Sequence, residues 1–221
     1  TIEIPPFGTL FAALRCLGYY GIKFGDEQGL SGADTVLMDG KPINAGSLLA
    51  AQAEGHNIVT IEGLGEHPDQ GWKKTEGLHP LQLAFIETGA IQCGYCTPAQ
   101  ILAAKALLDR NANPTETEVR EAIAGVLCRC TGYHKPVRAI LRAAAVMRGE
   151  VAGQLEKTRI QSTPGTEAFQ RVGKPEPKVD AIKLAQGKPA FTADIELRDM
   201  LHAKVLHSPY AHALIQKIDT R

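Results

Sequence analysis

The chain has 221 residues, 44% of them hydrophobic and 22% charged, a composition that suits one or two globular domains and excludes disorder throughout. Lys plus Arg and Asp plus Glu both number 24, so the basic excess that nucleic acids and membrane surfaces attract is missing. No hydrophobic run reaches the length of a membrane span and no secretory h-region is present, so a cytoplasmic protein with no nucleic-acid or membrane partner is expected. The first residue is Thr1 rather than Met, so further residues upstream, a targeting signal among the candidates, are expected as well.

Thr1–Ile4 reads as a strand. Thr9 suits the cap of a helix whose apolar residues Leu10, Phe11, Leu14 and Leu17 recur at three- and four-residue spacing. A loop with Gly25, Gly29 and Gly32 follows. Two short strands are expected around Asp39-Gly40, a dipeptide that accepts the positive φ values of a tight hairpin turn. Ala45–Glu54 reads as helical, ended by Gly55, and Asn57–Glu62 alternates as a strand. Polar residues from His67 to Glu76 form a connector.

Residues 78–148 read as four helices. Pro80 suits the first turn of one that runs to Thr88 and stops at Gly89. Thr97-Pro98 starts the second, through Ile101, Leu102, Ala104, Leu107 and Leu108. Thr115 and Glu118 have the spacing of a capping box for the third, and Pro136 opens the fourth, with Val137, Ile140, Leu141 and Ala144. From Glu150 to about Lys178 periodicity fades into a Pro-containing linker. Leu201–His207 and Leu214–Ile218 alternate like strands. Some forty residues rarely close a core unaided, so this region is expected to complete its fold against polypeptide outside the chain.

The chemistry-bearing residues are Cys93, Cys96, Cys128 and Cys130, in the strings QCGYC and LCRC, with thirty-one residues between the two pairs. Cys93 and Cys96 fall between the first and second of the four helices, and Cys128 and Cys130 between the third and fourth. An antiparallel arrangement brings both loops to one end. Paired cysteines at short spacing in an intracellular chain favour a metal centre over disulfides, because thiolates suit soft and borderline metals. His134 follows Cys130 closely, but four thiolates already fill a coordination sphere. His202, His207 and His212 lack metal-ligand spacing. No Gly-rich phosphate loop follows a strand, so no FAD or NAD site is read in this chain.

In QCGYCTPAQ and LCRCTGYHKPVRAI, and in VTIEGL and LHPLQLAFIETGAIQCGYCTP before and through the first cysteine loop, the chain resembles the iron–sulfur subunit of the xanthine oxidase/aldehyde oxidase family of molybdenum hydroxylases. Residues 172–221, with VGKPEPKVDAIKLAQGKPAFTADIE and LHAKVLHSPYAHALIQKIDT, resemble the opening of that family's molybdopterin-binding subunit. The resemblance implies an α+β chain. A ferredoxin-like β-grasp domain at 1–68 precedes a four-helix [2Fe–2S] domain at 76–149, a linker at 150–178 and, at 179–221, an incomplete α/β segment of a larger catalytic domain. Cys93, Cys96, Cys128 and Cys130 would bind one [2Fe–2S] cluster, with Gln92 and Cys130 beside the pterin end of the molybdenum cofactor. That cofactor would be held mainly by a partner chain or by downstream sequence. The partners implied are the molybdopterin-binding catalytic subunit and a FAD subunit or another electron acceptor; substrates of the family include purines, aldehydes and N-heterocycles. A closed four-cysteine zinc site is the structural alternative, although C-x-C departs from the usual zinc pairs.

One departure stands out. The family's first domain carries a second, plant-ferredoxin-type cluster on C-x4-C-x2-C and a later cysteine. In KFGDEQGLSGADTVLMDG and INAGSLLAAQAEG those positions hold Asp26, Ser31, Asp34 and Gly46, so this site is expected to carry no iron. Asp26, Glu27 and Asp34 are candidates for a hard cation, with a solvated surface as the plainer reading. Cys16, away from the aligned positions, is expected to pack as a small hydrophobe. The function expected is electron relay from the molybdenum centre through one [2Fe–2S] cluster, with the substrate site outside this chain; a structural and assembly module is the alternative.

Overall fold

A computed structural model describes residues 2–26, 28–65, 75–150, 176, 178–195 and 197–219. Helix α1 (Leu10–Cys16) starts where the Thr9 hydroxyl accepts the Ala12 N–H at 3.2 Å. It buries Leu10, Ala13 and Leu14, one face at helical spacing. Cys16, expected to be packed, lies exposed at the edge of that face, in the last turn of the helix.

Strands β1 (Thr35–Met38) and β2 (Lys41–Asn44) form the expected hairpin, with Asp39 at φ 49° and Gly40 at φ 77°. Strand β3 (Ile58–Val59) pairs antiparallel on the other side of β1, giving the order β2-β1-β3. The central strand is buried on both faces. Val36 packs with Leu10, Leu14, Ile22 and Ala45, whereas Leu37 joins Ile61 and Leu64 in the cluster that also contains the helices below.

Three expected elements are shorter or absent. Residues 2–4 form no strand. Ala45–Glu54 is not one helix but two 3-10 turns, Ala45–Ser47 and Ala50–Ala53. Helical hydrogen bonding is interrupted because Asp34 takes the Gly46 N–H and the Leu48 carbonyl accepts from Leu10. Asn57–Glu62 gives only Ile58–Val59 as strand before a 3-10 turn at Ile61–Gly63.

The four helices appear as read: α2 (Pro80–Glu87), α3 (Thr97–Arg110), α4 (Glu116–Ile123) and α5 (His134–Met147). Thr115 and Glu118 form the expected capping box. The last helix begins two residues before Pro136, after Tyr133 at φ 66°. Helix α2 packs along α5, and α3 packs against β1, α4, α2 and the turn at Ile61–Gly63. Among the described residues no helix is long and apolar enough to cross a membrane.

The linker expected at 150–178 and most of the connector at 67–76 lie outside the described residues. Beyond them, α6 (Ala181–Ala185) buries Ala181, Leu184 and Ala185 in the same core as α2 and α3. The α/β segment expected here shows helix and no strand among its described residues: 201–207 and 214–218 carry no regular secondary structure, with Leu201 at 95% exposure. A strand needs a neighbouring edge to pair with, and no described segment supplies one.

A buried ion group pins this region to the N-terminal part. Asp194 accepts from Arg15 at 2.8 Å and Lys23 at 2.7 Å, with Lys23 and Asp194 side chains 3% and 2% exposed. Burial raises the Asp194 pKa, but hydrogen bonds from Lys23 and Arg15 outweigh it and hold the group at about 2, below the usual 3.8. Its contribution to stability is therefore complete above pH 3.8 and lost as the pH falls towards about 2. Replacing Asp194 by Ala leaves Lys23 buried without its carboxylate and is expected to cost about 3–5 kcal/mol at neutral pH. Urea unfolding at pH 7 and pH 2 checks both statements: the difference between D194A and the unaltered protein is expected to shrink at the lower pH.

Candidate metal centre

Two loops meet at one end of the helices. The first ends where Cys96 caps α3, with Thr97 and Pro98 in its first turn, so Cys93 and Cys96 precede the positive end of a fourteen-residue helix. The second leads into α5. Gly132 at φ 59° and Tyr133 at φ 66° reverse the chain there, and the Tyr133 hydroxyl accepts the Cys128 N–H at 2.8 Å while donating to the Val126 carbonyl at 3.3 Å. A left-handed tyrosine is uncommon, and here its side chain holds the backbone of the cysteine loop.

All four cysteines line one cavity of about 300 Å³. Among the thiols, Cys130 acts most strongly on Cys93 and Cys128 on Cys96, so the four face one another in two pairs. Cys96 is buried, Cys128 half-buried, and Cys93 and Cys130 are exposed. Phe24, Tyr95 and Leu127 give the cavity apolar walls, and Gly25, Ser31 and Ala33 of the N-terminal loop close one side.

The thiols differ in readiness to ionise. Burial pushes Cys96 well up, and the neighbouring Cys128 adds to it. Cys93 is raised by burial against a backbone hydrogen bond at Tyr95, with Cys130 adding to the rise. Cys128 goes the other way: burial raises it, but the Thr131 hydroxyl, 3.1 Å from its sulfur, and backbone N–H groups at Thr131 and Cys130 outweigh that and lower it. Thr131 and Tyr133 were not among the site residues that the sequence pointed to. Two hydroxyl side chains within five residues of a candidate ligand were the signal for more.

Thiolates in two pairs suit two metal atoms, each taking two thiolates, which is the ligand demand of a [2Fe–2S] cluster. A single zinc ion needs at least three ligands converging on one point at about 2.3 Å from sulfur, and no such group of His, Cys, Asp and Glu exists among the described residues. Asp26, Glu27 and Asp34 form no cation site among the described residues: Glu27 lies outside them, Asp26 spends both oxygens on backbone amides, and Asp34 gives Oδ2 to the Gly46 N–H while its buried Oδ1 has no partner. Gln92 is exposed beside Cys93, His134 is exposed on α5, and Arg129 is exposed at the cavity rim.

Known proteins are similar to this chain. The family model of the [2Fe–2S] binding domain matches residues 60–141. The chain is 37% identical over 211 residues to the aldehyde oxidoreductase of Megalodesulfovibrio gigas, a match that covers 92% of this chain and 22% of that protein. It is 45% identical over 127 residues to the nicotinate dehydrogenase small FeS subunit of Eubacterium barkeri, covering 58% of this chain and 75% of the relative. Among solved structures, the aldehyde oxidoreductase from Desulfovibrio gigas superposes with a TM-score of 0.73 at 34% identity, over 88% of this chain and 20% of that one. The chain thus spans about a fifth of the aldehyde oxidoreductase and most of the small FeS subunit. Two thiol pairs on one cavity, the [2Fe–2S] model across them and a small FeS subunit covered over three quarters of its length agree: the chain belongs to the molybdenum hydroxylase family, as an iron–sulfur electron-transfer module.

Proposed function

We propose that Cys93, Cys96, Cys128 and Cys130 hold one [2Fe–2S] cluster that receives electrons from a molybdenum–pterin centre carried by a catalytic region joined to or assembled with this chain. The observation that carries the ligand assignment is the pairing of the four thiols on a single cavity. When bound, such a cluster supplies a one-electron carrier. The surrounding residues fix it: Tyr133 orients the Cys128 backbone, Thr131 favours the Cys128 thiolate, and Phe24, Tyr95 and Leu127 exclude water. Gln92, Cys93 and Cys130 form the exposed side, and that side is assigned to the pterin, with Gln92 and Cys130 in contact with it.

The domain reading that accompanies this proposal is a ferredoxin-like unit at 1–68 without iron, a four-helix unit at 76–149, a linker at 150–178, and the start of a molybdopterin-binding domain from 179. The match to the aldehyde oxidoreductase supports the last assignment, because it runs over 211 residues, well past the [2Fe–2S] model. So do Leu201, Leu206 and Leu214, exposed at 95%, 87% and 85%, a run of apolar side chains that asks for a covering surface. Electrons leave to a FAD-bearing partner or another acceptor, in the cytoplasm. A purely structural module is not favoured, because the relatives are named as oxidoreductases and as an FeS subunit of one.

Substituting Cys93 or Cys128 by Ser in the assembled enzyme is expected to abolish the bound iron and acid-labile sulfide, leave co-purification with the catalytic region intact, and stop substrate-driven reduction of the acceptor. Electron transfer that survives loss of the cluster would refute the relay, and zinc in place of iron would refute the ligand assignment. Replacing Tyr133 by Phe removes the acceptor for the Cys128 N–H and is expected to destabilise the ligand loop by about 1–3 kcal/mol. Faster bleaching of the visible absorbance under a chelator, relative to the unaltered protein, is the check.

A further inference from the structure

Positions 26, 31, 34 and 46 have the spacing x4, x2 and then eleven residues, the ligand pattern of a plant-type [2Fe–2S] loop, but they hold Asp, Ser, Asp and Gly. Four missing thiolates cannot hold that cluster, so the residues present do not fit it. A loop that loses such a centre loses both its cross-links and the negative charge its inward amides faced. This loop has nonetheless kept a defined fold, and the side chains at the ligand positions show how.

Asp26 accepts three backbone N–H groups. Its Oδ1 takes Gln28 at 2.8 Å and Leu30 at 3.0 Å, and its Oδ2 takes Ser31 at 2.7 Å. These bonds, those from Leu30 and Ser31 first, hold its carboxyl at about 2, so it is an anion at any working pH. Asp34 reaches across the loop in the same manner, its Oδ2 accepting the Gly46 N–H at 2.6 Å. The four ligand positions are therefore tied in pairs, 26 to 31 and 34 to 46. Gly46 has a steric reason as well: a Cβ there would sit 2.9 Å from Asp34 Oδ2, so a side chain at 46 would press the carboxylate off its amide.

The tied loop abuts the cysteine cavity. The Ser31 carbonyl accepts the N–H of Leu127, next to Cys128, at 2.8 Å. Gly32 packs so closely on the Gly125 carbonyl that a Cβ would lie 2.0 Å from it, and Gly25, Ser31 and Ala33 form one wall of the cavity.

We propose that the carboxylates of Asp26 and Asp34 replace a lost iron–sulfur centre as the anion that organises residues 25–46, and that Asp26, through Ser31 and Leu127, is a positioning residue for the Cys128 arm of the remaining centre. The spectroscopic part of this inference rests on the four-cysteine cluster proposed above; the amide part does not.

The test uses the enzyme as isolated with its cluster, residue-resolved amide exchange, metal analysis and the EPR spectrum of the reduced protein. Asp26→Ala is expected to speed exchange at Gln28, Leu30, Ser31 and Leu127 by roughly tenfold or more and to change the EPR line shape, with the iron content unaltered. Asp26→Asn gives the sharper reading. Its carbonyl oxygen can still accept from Gln28 and Leu30, but its amide group faces the Ser31 N–H donor to donor. Protection is therefore expected to survive at Gln28 and Leu30, to fail at Ser31 and Leu127, and the EPR change of the Ala variant is expected to appear. Should the Asp26 variants not fold, Gly46→Ala, which pushes Asp34 off its amide, is expected to raise exchange across 44–47, and Gln28, Leu30 and Ser31 are expected to be strongly protected in the unaltered protein. Exchange and EPR unchanged in both Asp26 variants would overturn the proposal. So would iron beyond two atoms per chain, or a stoichiometric second metal, that disappears with Asp26. Absence of iron from the unaltered protein would instead refute the four-cysteine cluster while leaving the exchange measurement to decide the carboxylate role.

Discussion

From Thr97 to Leu108, helix α3 has every residue buried except the half-exposed Lys105, and the other elements are arranged around that fact. A helix apolar on all sides must be covered on all sides. Strand β1 covers one flank through Leu37, α4 and α2 cover others, and α6 closes a further one, so sheet and helices share one core. Its first residue follows Cys96 directly. The ligand loop is thus anchored to a helix buried on nearly every side, the support a redox centre needs if its environment is to stay fixed between electron transfers.

The electrostatics of the cavity follow from the same burial. Taking thiols out of water disfavours their ionised form, most of all at Cys96. Cys128 escapes because hydroxyl and amide donors are aimed at its sulfur. Burial that holds the Cys93 and Cys96 thiols against ionisation makes their deprotonation part of metal binding, so the stability of this region is linked to its occupancy.

Much of the helical unit was legible in the sequence, because its signals are local. Pro80, the Thr115–Glu118 capping box and the cysteine spacing each act within a few residues, and each element formed where these placed it. The hairpin at Asp39-Gly40 was legible for the same reason. The failures share a different cause. Ala45–Glu54 has helical composition, but its amide and carbonyl groups are claimed by Asp34 and Leu10, partners eleven or more residues away that no local pattern reveals. The alternation at 201–207 is a strand pattern without an edge to pair with. Cys16 sits one step off a hydrophobic face that Leu10, Ala13 and Leu14 already fill. The hydroxyls of Thr131 and Tyr133 carry a role visible only once the chain has turned back on Cys128.

The contacts least accessible to sequence reasoning are those that residues 181–194 make, and they bear on how the two modules communicate. Leu184 packs on Gly94, between the first two candidate ligands, so closely that a Cβ on Gly94 would fall 2.7 Å from it. Phe191 meets Tyr95 edge to face at 5.1 Å and lies 4.8 Å beneath the Lys23 ammonium. Gln82 donates to the Ala185 carbonyl, and Asp194 joins Arg15 and Lys23. One short stretch therefore touches the QCGYC loop, α2 and the N-terminal unit at once. Displacing it would uncover Gly94, Tyr95 and Lys23 together, so the placement of the cysteine loop and that of the N-terminal unit are coupled through one short segment.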